Sequence, residues 1–392
     1  MTSRFKSCLL AGLIPLILVG GGQATLAVAQ VAPSVVEAAS AGLTPAQQAI
    51  ADRAGALGAT DIDARPGPNG GLLLGGKLSG AQFALAFPAA WNGDGLVYAH
   101  GYSTPGTPVS VANNPVEKPG VLKLAYDQGF VAGHSAYDKA GLGVETGSVN
   151  TLRLRDLVAG LGGQRIYVAG DSMGGGIVVN LLETHPEAFA GGLARCGVVN
   201  SWRVLLDQLL DMRVAYAFLT RGTPYAYEGD TDVRRSVIAP EPPAGLTGEA
   251  AQFYVFGQMM KVAAPPLALW AAAQANPQGP EARIVRQVTT IGGFDYDAAS
   301  LAYPLVTATL ASEDLTATAG GWVYGNEDRD FSTPDMTPQE AAAINAGVQR
   351  VRAAPEALAY LDRWHTATGR VQTPLITFHN EIDSLVPYAQ EE

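Results

Sequence analysis

The chain has 392 residues, 47 % of them hydrophobic and 16 % charged, with a formal net charge of −11. That acidic balance disfavours nucleic acid and anionic membrane surfaces as partners. The length suffices for one large core plus an insertion, and no internal repeat or long low-complexity tract is visible.

Arg4 and Lys6 precede an apolar run at 8–20, and Ala27-Val28-Ala29 offers small residues for cleavage before Gln30. This is the pattern of an export signal over residues 1–29, which predicts a periplasmic or secreted protein. The run is broken by Pro15 and by Gly20 to Gly22, and it is too short for a membrane span. Cys8 lies well before the cleavage point, so no stable membrane anchor is expected. With the signal removed, Cys196 is the one remaining cysteine, a buried hydrophobe or a thiol in need of a partner.

Residues 30–80 read as a leader and a first strand region. Thr44 caps a helix with Pro45 first and Gln47 third, running to about Leu57. Strands at 72–78 and 82–87 flank a Ser79-Gly80 turn. Further apolar strands are predicted at 96–99, 130–133, 165–169 and 193–199, with helices at 121–127, 149–161 and 175–182 between them. Such alternation predicts an α/β fold, a mostly parallel sheet with helices on both faces, whose first part is 81–199. From 200 to 372 the rhythm stops, and the segment reads as a large cap inserted over the carboxyl edge of the sheet. It is helical near 202–216 and 248–260, and again after a capping box at Thr337-Pro338-Gln339-Glu340. The core resumes at 373–392 with a buried strand at 374–378.

Chemistry concentrates at Gly170-Asp171-Ser172-Met173-Gly174, set between the strand at 165–169 and the helix that follows. Strand, G-x-S-x-G, helix is the context of a nucleophile elbow, in which a strained turn lifts the serine hydroxyl above the sheet. Glycines two before and two after Ser172 avoid collision with the neighbouring strand and helix. The other reading is a glycine-rich turn with an idle serine. A serine nucleophile needs a base and two N–H donors for the oxyanion. The Met173 amide supplies one donor, and the turn His100-Gly101-Tyr102 supplies the second through the Tyr102 amide.

On these segments, together with Tyr98-Ala99-His100-Gly101-Tyr102 and Arg195-Cys196-Gly197-Val198-Val199, the chain resembles serine hydrolases of the α/β-hydrolase fold. The resemblance runs from about residue 82 to the end and is narrowest to exported bacterial esterases and prolyl-oligopeptidase-like hydrolases. It implies that Asp383, in Asp383-Ser384-Leu385-Val386-Pro387, is the acid that orients a catalytic imidazole; Glu381 is the fallback. It also implies that His379 shapes a turn.

The resemblance further places the histidine after the acid, beyond one more strand. The five histidines are His100, His134, His185, His365 and His379, all upstream of Asp383. The expectation is therefore a chain lacking its last strand, histidine loop and final helix. Relatives often carry a cysteine beside that histidine, a partner for Cys196. Two alternatives stand: a rearranged triad using His100 or His365, and a non-catalytic binding scaffold of hydrolase form.

The acidic runs Glu228 to Asp232 and Asn326 to Asp330 lack EF-hand spacing and read as solvated loop charge. No zinc ligand set or phosphate loop is present, so no metal and no cofactor is expected. Cap aromatics Trp202, Tyr225, Tyr227, Phe253, Tyr254 and Trp270 line an acyl pocket or, more commonly, form the cap's own core. The function expected is cleavage of small carboxylic esters through an acyl-enzyme on Ser172, with a prolyl-oligopeptidase-like peptidase as the alternative.

Overall fold

The computed structural model describes residues 42–229, 231–364 and 366–391. The segment expected to be an export signal, most of the expected leader and His365 lie outside the described residues. Eight strands form one sheet: β1 (Thr60–Pro66), β2 (Leu72–Leu78), β3 (Ala81–Phe87), β4 (Asp94–Ala99), β5 (Val131–Ser135), β6 (Arg165–Asp171), β7 (Gly191–Arg195) and β8 (Leu375–Phe378). Their order is β1-β2-β3-β5-β4-β6-β7-β8. β1, β2 and β3 run antiparallel, β3 meets β5 antiparallel, and all pairs from β5 to β8 are parallel.

Alternation along the strands explains how both faces are buried. Leu72, Leu74, Phe83, Leu85, Val97 and Val168 point into the main core. Their neighbours Leu73, Ala86, Leu96 and Ala169 point into a second cluster on the other face. Helix α2 (Val121–Asp127) closes that second cluster with Leu122 and Tyr126. Helices α1 (Pro45–Ala56), α3 (Val144–Gly160) and α4 (Met173–Thr184) contribute to the main core.

Between β7 and β8 stand six helices: α5 (Trp202–Leu219), α6 (Gly248–Ala275), α7 (Pro280–Gly292), α8 (Ala298–Ala319), α9 (Pro338–Gly347) and α10 (Pro355–Trp364). The first four pack on one another, α5 against α7 and α8, α6 against α7 and α8. Asp314 on α8 fastens this bundle to the sheet domain, accepting from the Lys139 ammonium at 2.5 Å and from the Leu142 amide at 2.7 Å. Gly141, at φ 84°, leaves room for that carboxylate, since a Cβ there would lie 2.2 Å from it.

Several elements differ from the sequence pattern. β1 is mostly exposed, so no buried alternation marks it. The strand expected at 193–199 ends at Arg195 because Cys196 adopts a φ of 44°, outside the β region. Helix α3 starts at Val144, before the apolar periodicity begins, and α6 continues through Pro265 and Pro266 to Ala275. Helices α7, α8 and α10 have no counterpart in the sequence reading. Among the described residues β8 is an edge strand, with Ile376 67 % and Phe378 54 % exposed.

Candidate active site

Where β6 ends and α4 begins, Ser172 sits at φ 55° and ψ −120°, a conformation that β-branched and bulky residues rarely adopt. Such backbone costs on the order of 1–3 kcal/mol and persists only when its surroundings enforce it. Here they do. The Ser172 N–H donates to Arg195 O at 3.1 Å, and its carbonyl accepts from Gly175 at 3.0 Å and Val198 at 3.2 Å. The turn also has no room for side chains at its glycines. A Cβ on Gly170 would lie 2.2 Å from Gly174 O, and one on Gly174 would lie 2.0 Å from Ala99 O. At Gly175 it would lie 2.6 Å from Gly197 Cα. Asp171 and Arg195 form a two-pronged ion pair across β6 and β7, each contact 2.6 Å, which ties the strand ends flanking Ser172.

Met173 is the first residue of α4, so its N–H has no intrahelical acceptor. The turn leaving β4 passes beside Ser172; a Cβ on Gly101 would lie 3.4 Å from Ser172 Cβ. The Tyr102 amide on that turn has no hydrogen-bond acceptor among the described residues. His100 braces the turn. Its ring stacks on Tyr137 with centroids 3.7 Å apart, its Nδ1 lies 2.8 Å from Gly101 O, and its carbonyl accepts the Tyr137 hydroxyl at 2.9 Å. Burial disfavours the imidazolium and holds the His100 pKa down at about 4.

Asp383 follows β8 on a short loop. Its Oδ1 accepts from the amides of Leu385 at 3.0 Å and Val386 at 2.8 Å, an Asx-type turn that leaves the second oxygen without a partner among the described residues. His379 is tied inside the same loop, Nε2 2.8 Å from Val386 O and Nδ1 3.1 Å from a Glu391 carboxylate oxygen. Glu381 is exposed.

A cavity partly open to solvent joins these parts. Its lining includes Ser172 and Tyr102 from the sheet turns, Leu385 and Val386 from the Asp383 loop, Leu205, Leu206, Leu209 and Leu210 from α5, and Thr307, Ala308, Ala311 and Leu315 from α8. Of the cap aromatics weighed from sequence, Trp202 alone is among the lining residues; Tyr225, Tyr227 and Trp270 pack against the main core, and Phe253 is exposed. The aliphatic lining was missed by the sequence reading. Its signal was present on α5, where Leu205, Leu206, Leu209 and Leu210 repeat at helical spacing directly after the β7 loop. On α8 two of the four lining residues are alanines, which carry no such signal.

None of the four described histidines lines the cavity. His134 Nε2 lies 2.9 Å from Ala112 O, and His185 terminates α4. The two acidic runs serve their own loops: Asp232 holds Arg234 and Gln349, Asp330 holds Ser332 and Asn345, and Glu327 pairs with Arg352. Among the described residues no three potential ligands converge as for a metal, and no helix is long and apolar enough to cross a membrane.

No protein-family model matches the chain, and no curated protein matches it. Solved structures match over much of its length. Feruloyl esterase B from Aspergillus oryzae is 14 % identical, with 85 % of this chain aligned to 73 % of that one at a TM-score of 0.42. An esterase from Aspergillus oryzae is 12 % identical, 82 % aligned to 66 %, at 0.37. The rice cell wall degrading esterase LipA from Xanthomonas oryzae is 12 % identical, 88 % aligned to 82 %, at 0.35. At such TM-scores a likeness decides nothing, and the fold rests on the strand order and on the turn at Ser172. The fold is α/β: a mostly parallel sheet, helices on both faces, and the serine turn at a parallel strand's carboxyl end.

Proposed function

We propose that this chain is an exported serine hydrolase that cleaves carboxylic esters through an acyl-enzyme on Ser172. The observation that carries the reading is the enforced φ of 55° at Ser172, with its side chain on the cavity and unpaired amides beside it. Ser172 Oγ attacks the ester carbonyl carbon and gives its proton to an imidazole. The oxyanion takes hydrogen bonds from the Met173 and Tyr102 amides, and the alkoxide leaves with the proton. Water then hydrolyses the acyl-enzyme with the same imidazole as base, and the free oxygen of Asp383 orients that ring. The imidazole itself is not among the described residues at this cavity. Among the described residues the lining carries no charged side chain, which favours an ester over the peptide terminus that a prolyl-oligopeptidase-like enzyme would have to recognise.

The test is hydrolysis of p-nitrophenyl butanoate with and without added free imidazole. The expected result is a slow rate that imidazole raises, with both rates falling to background in Ser172→Ala. A rate untouched by that substitution, or no rate under either condition, overturns the reading in favour of a binding scaffold.

A further inference from the structure

Resting on Ser172 as the nucleophile, we propose that the cavity between α5 and α8 is an acyl pocket for an unbranched aliphatic chain. Leu205 and Leu209 line it from α5, and Ala308, Ala311 and Leu315 line it from α8. All five are buried, at 3 % exposure or less. Among the described residues the lining holds no charged group, and ring systems enter it only through Tyr102 and Trp202. An apolar lumen of this kind suits the part of an ester that stays bonded to Ser172 after the first step. The alcohol portion must instead leave to solvent.

Ala308 and Ala311 are one turn apart on α8 and present only methyl groups to this space. They set its width. A larger side chain at either position takes up volume that the acyl chain would fill, and truncating Leu209 on the opposite side adds volume. Each methylene buried in such a lumen strengthens binding about fourfold, until the chain reaches the end of the pocket.

The test uses 1-alkanols of four to twelve carbons as non-reacting probes, with affinity measured by calorimetry on the full chain. Affinity is expected to climb about fourfold per methylene and then level off. Ala311→Leu, or the milder Ala308→Val should the first fail to fold by near-ultraviolet circular dichroism, brings the plateau to shorter chains. Leu209→Ala moves it to longer ones. Ser172→Ala leaves alkanol binding in place, so failure of the nucleophile reading and failure of the pocket are told apart. A second series, p-nitrophenyl esters of rising acyl length with imidazole present, is expected to shift its optimum with the same substitutions. Three results overturn the proposal: affinity indifferent to chain length or to every folded wall variant, tighter binding of benzyl alcohols than of alkanols with equal carbon number, or ester rates that follow the alcohol's length and ignore the acyl group's.

Discussion

The turn at Ser172 and the helical bundle of α5 to α8 are held together by different kinds of constraint. At the turn, individual atoms dictate residue identity: the Cβ positions of Gly170, Gly174 and Gly175 are already occupied by backbone. In the bundle, a position is mostly required only to be apolar and of roughly the right size. Gly257 in α6 shows the contrast, because a Cβ added there would meet nothing within 4 Å. The first kind of constraint leaves a fixed motif in a sequence. The second leaves only a periodicity.

Substitutions can break this contrast. The largest effect is expected for Gly174→Ala, whose Cβ would lie 2.0 Å from Ala99 O with no flexible atom to give way. A loss of at least about 4 kcal/mol, or failure to fold, is expected by chemical denaturation, since overpacking against rigid backbone exceeds ordinary core strain.

Acid comes next. The folded pKa of His100, about 4, lies below its ordinary 6.5, so the neutral ring favours the folded state. That contribution is complete above pH 6.5 and is lost as pH falls toward 4, amounting to about 3 kcal/mol. Asp207, raised to about 6 by burial despite Arg329 nearby, acts in the opposite sense: its protonation favours the folded state as pH falls from about 6 toward 3.8. The measurement is therefore the difference between the native chain and His100→Gln across pH 7 to 4. The variant is expected to lose less stability, and identical slopes would contradict the assignment.

Asp314→Ala tests the joint between the two regions. Losing the carboxylate leaves the Leu142 amide without its acceptor and Lys139 with the Thr318 hydroxyl alone, at a cost of about 2 kcal/mol. Limited proteolysis is expected to cut the 139–143 loop sooner in this variant. The smallest effect is a gain. Gly257→Ala is expected to stabilise by about 0.5–1 kcal/mol, because the helix interior loses a flexible residue and nothing is crowded. A destabilised Gly257→Ala would mean that the bundle is as tightly specified as the turn.

Legibility followed the same division. β4 and β6 were readable because strands buried on both faces are written in nearly continuous apolar residues. Gly170 to Gly174 was readable because each residue there meets a contact of its own. The Asp383 loop was visible as a pattern, but the amides of Leu385 and Val386 that hold its carboxylate were not. α8, rich in alanine and threonine around a buried Pro304, gave no amphipathic signal although four of its residues line the cavity. Nor did Cys196 announce that it would end β7 with a φ of 44°.

One feature of the fold bears on handling the protein. The outer side of β8 offers a row of main-chain donors and acceptors beside Ile376 and Phe378, and such a row is a template for another extended segment. A lysine in place of Ile376 should disfavour such pairing, because it would then have to desolvate an ammonium.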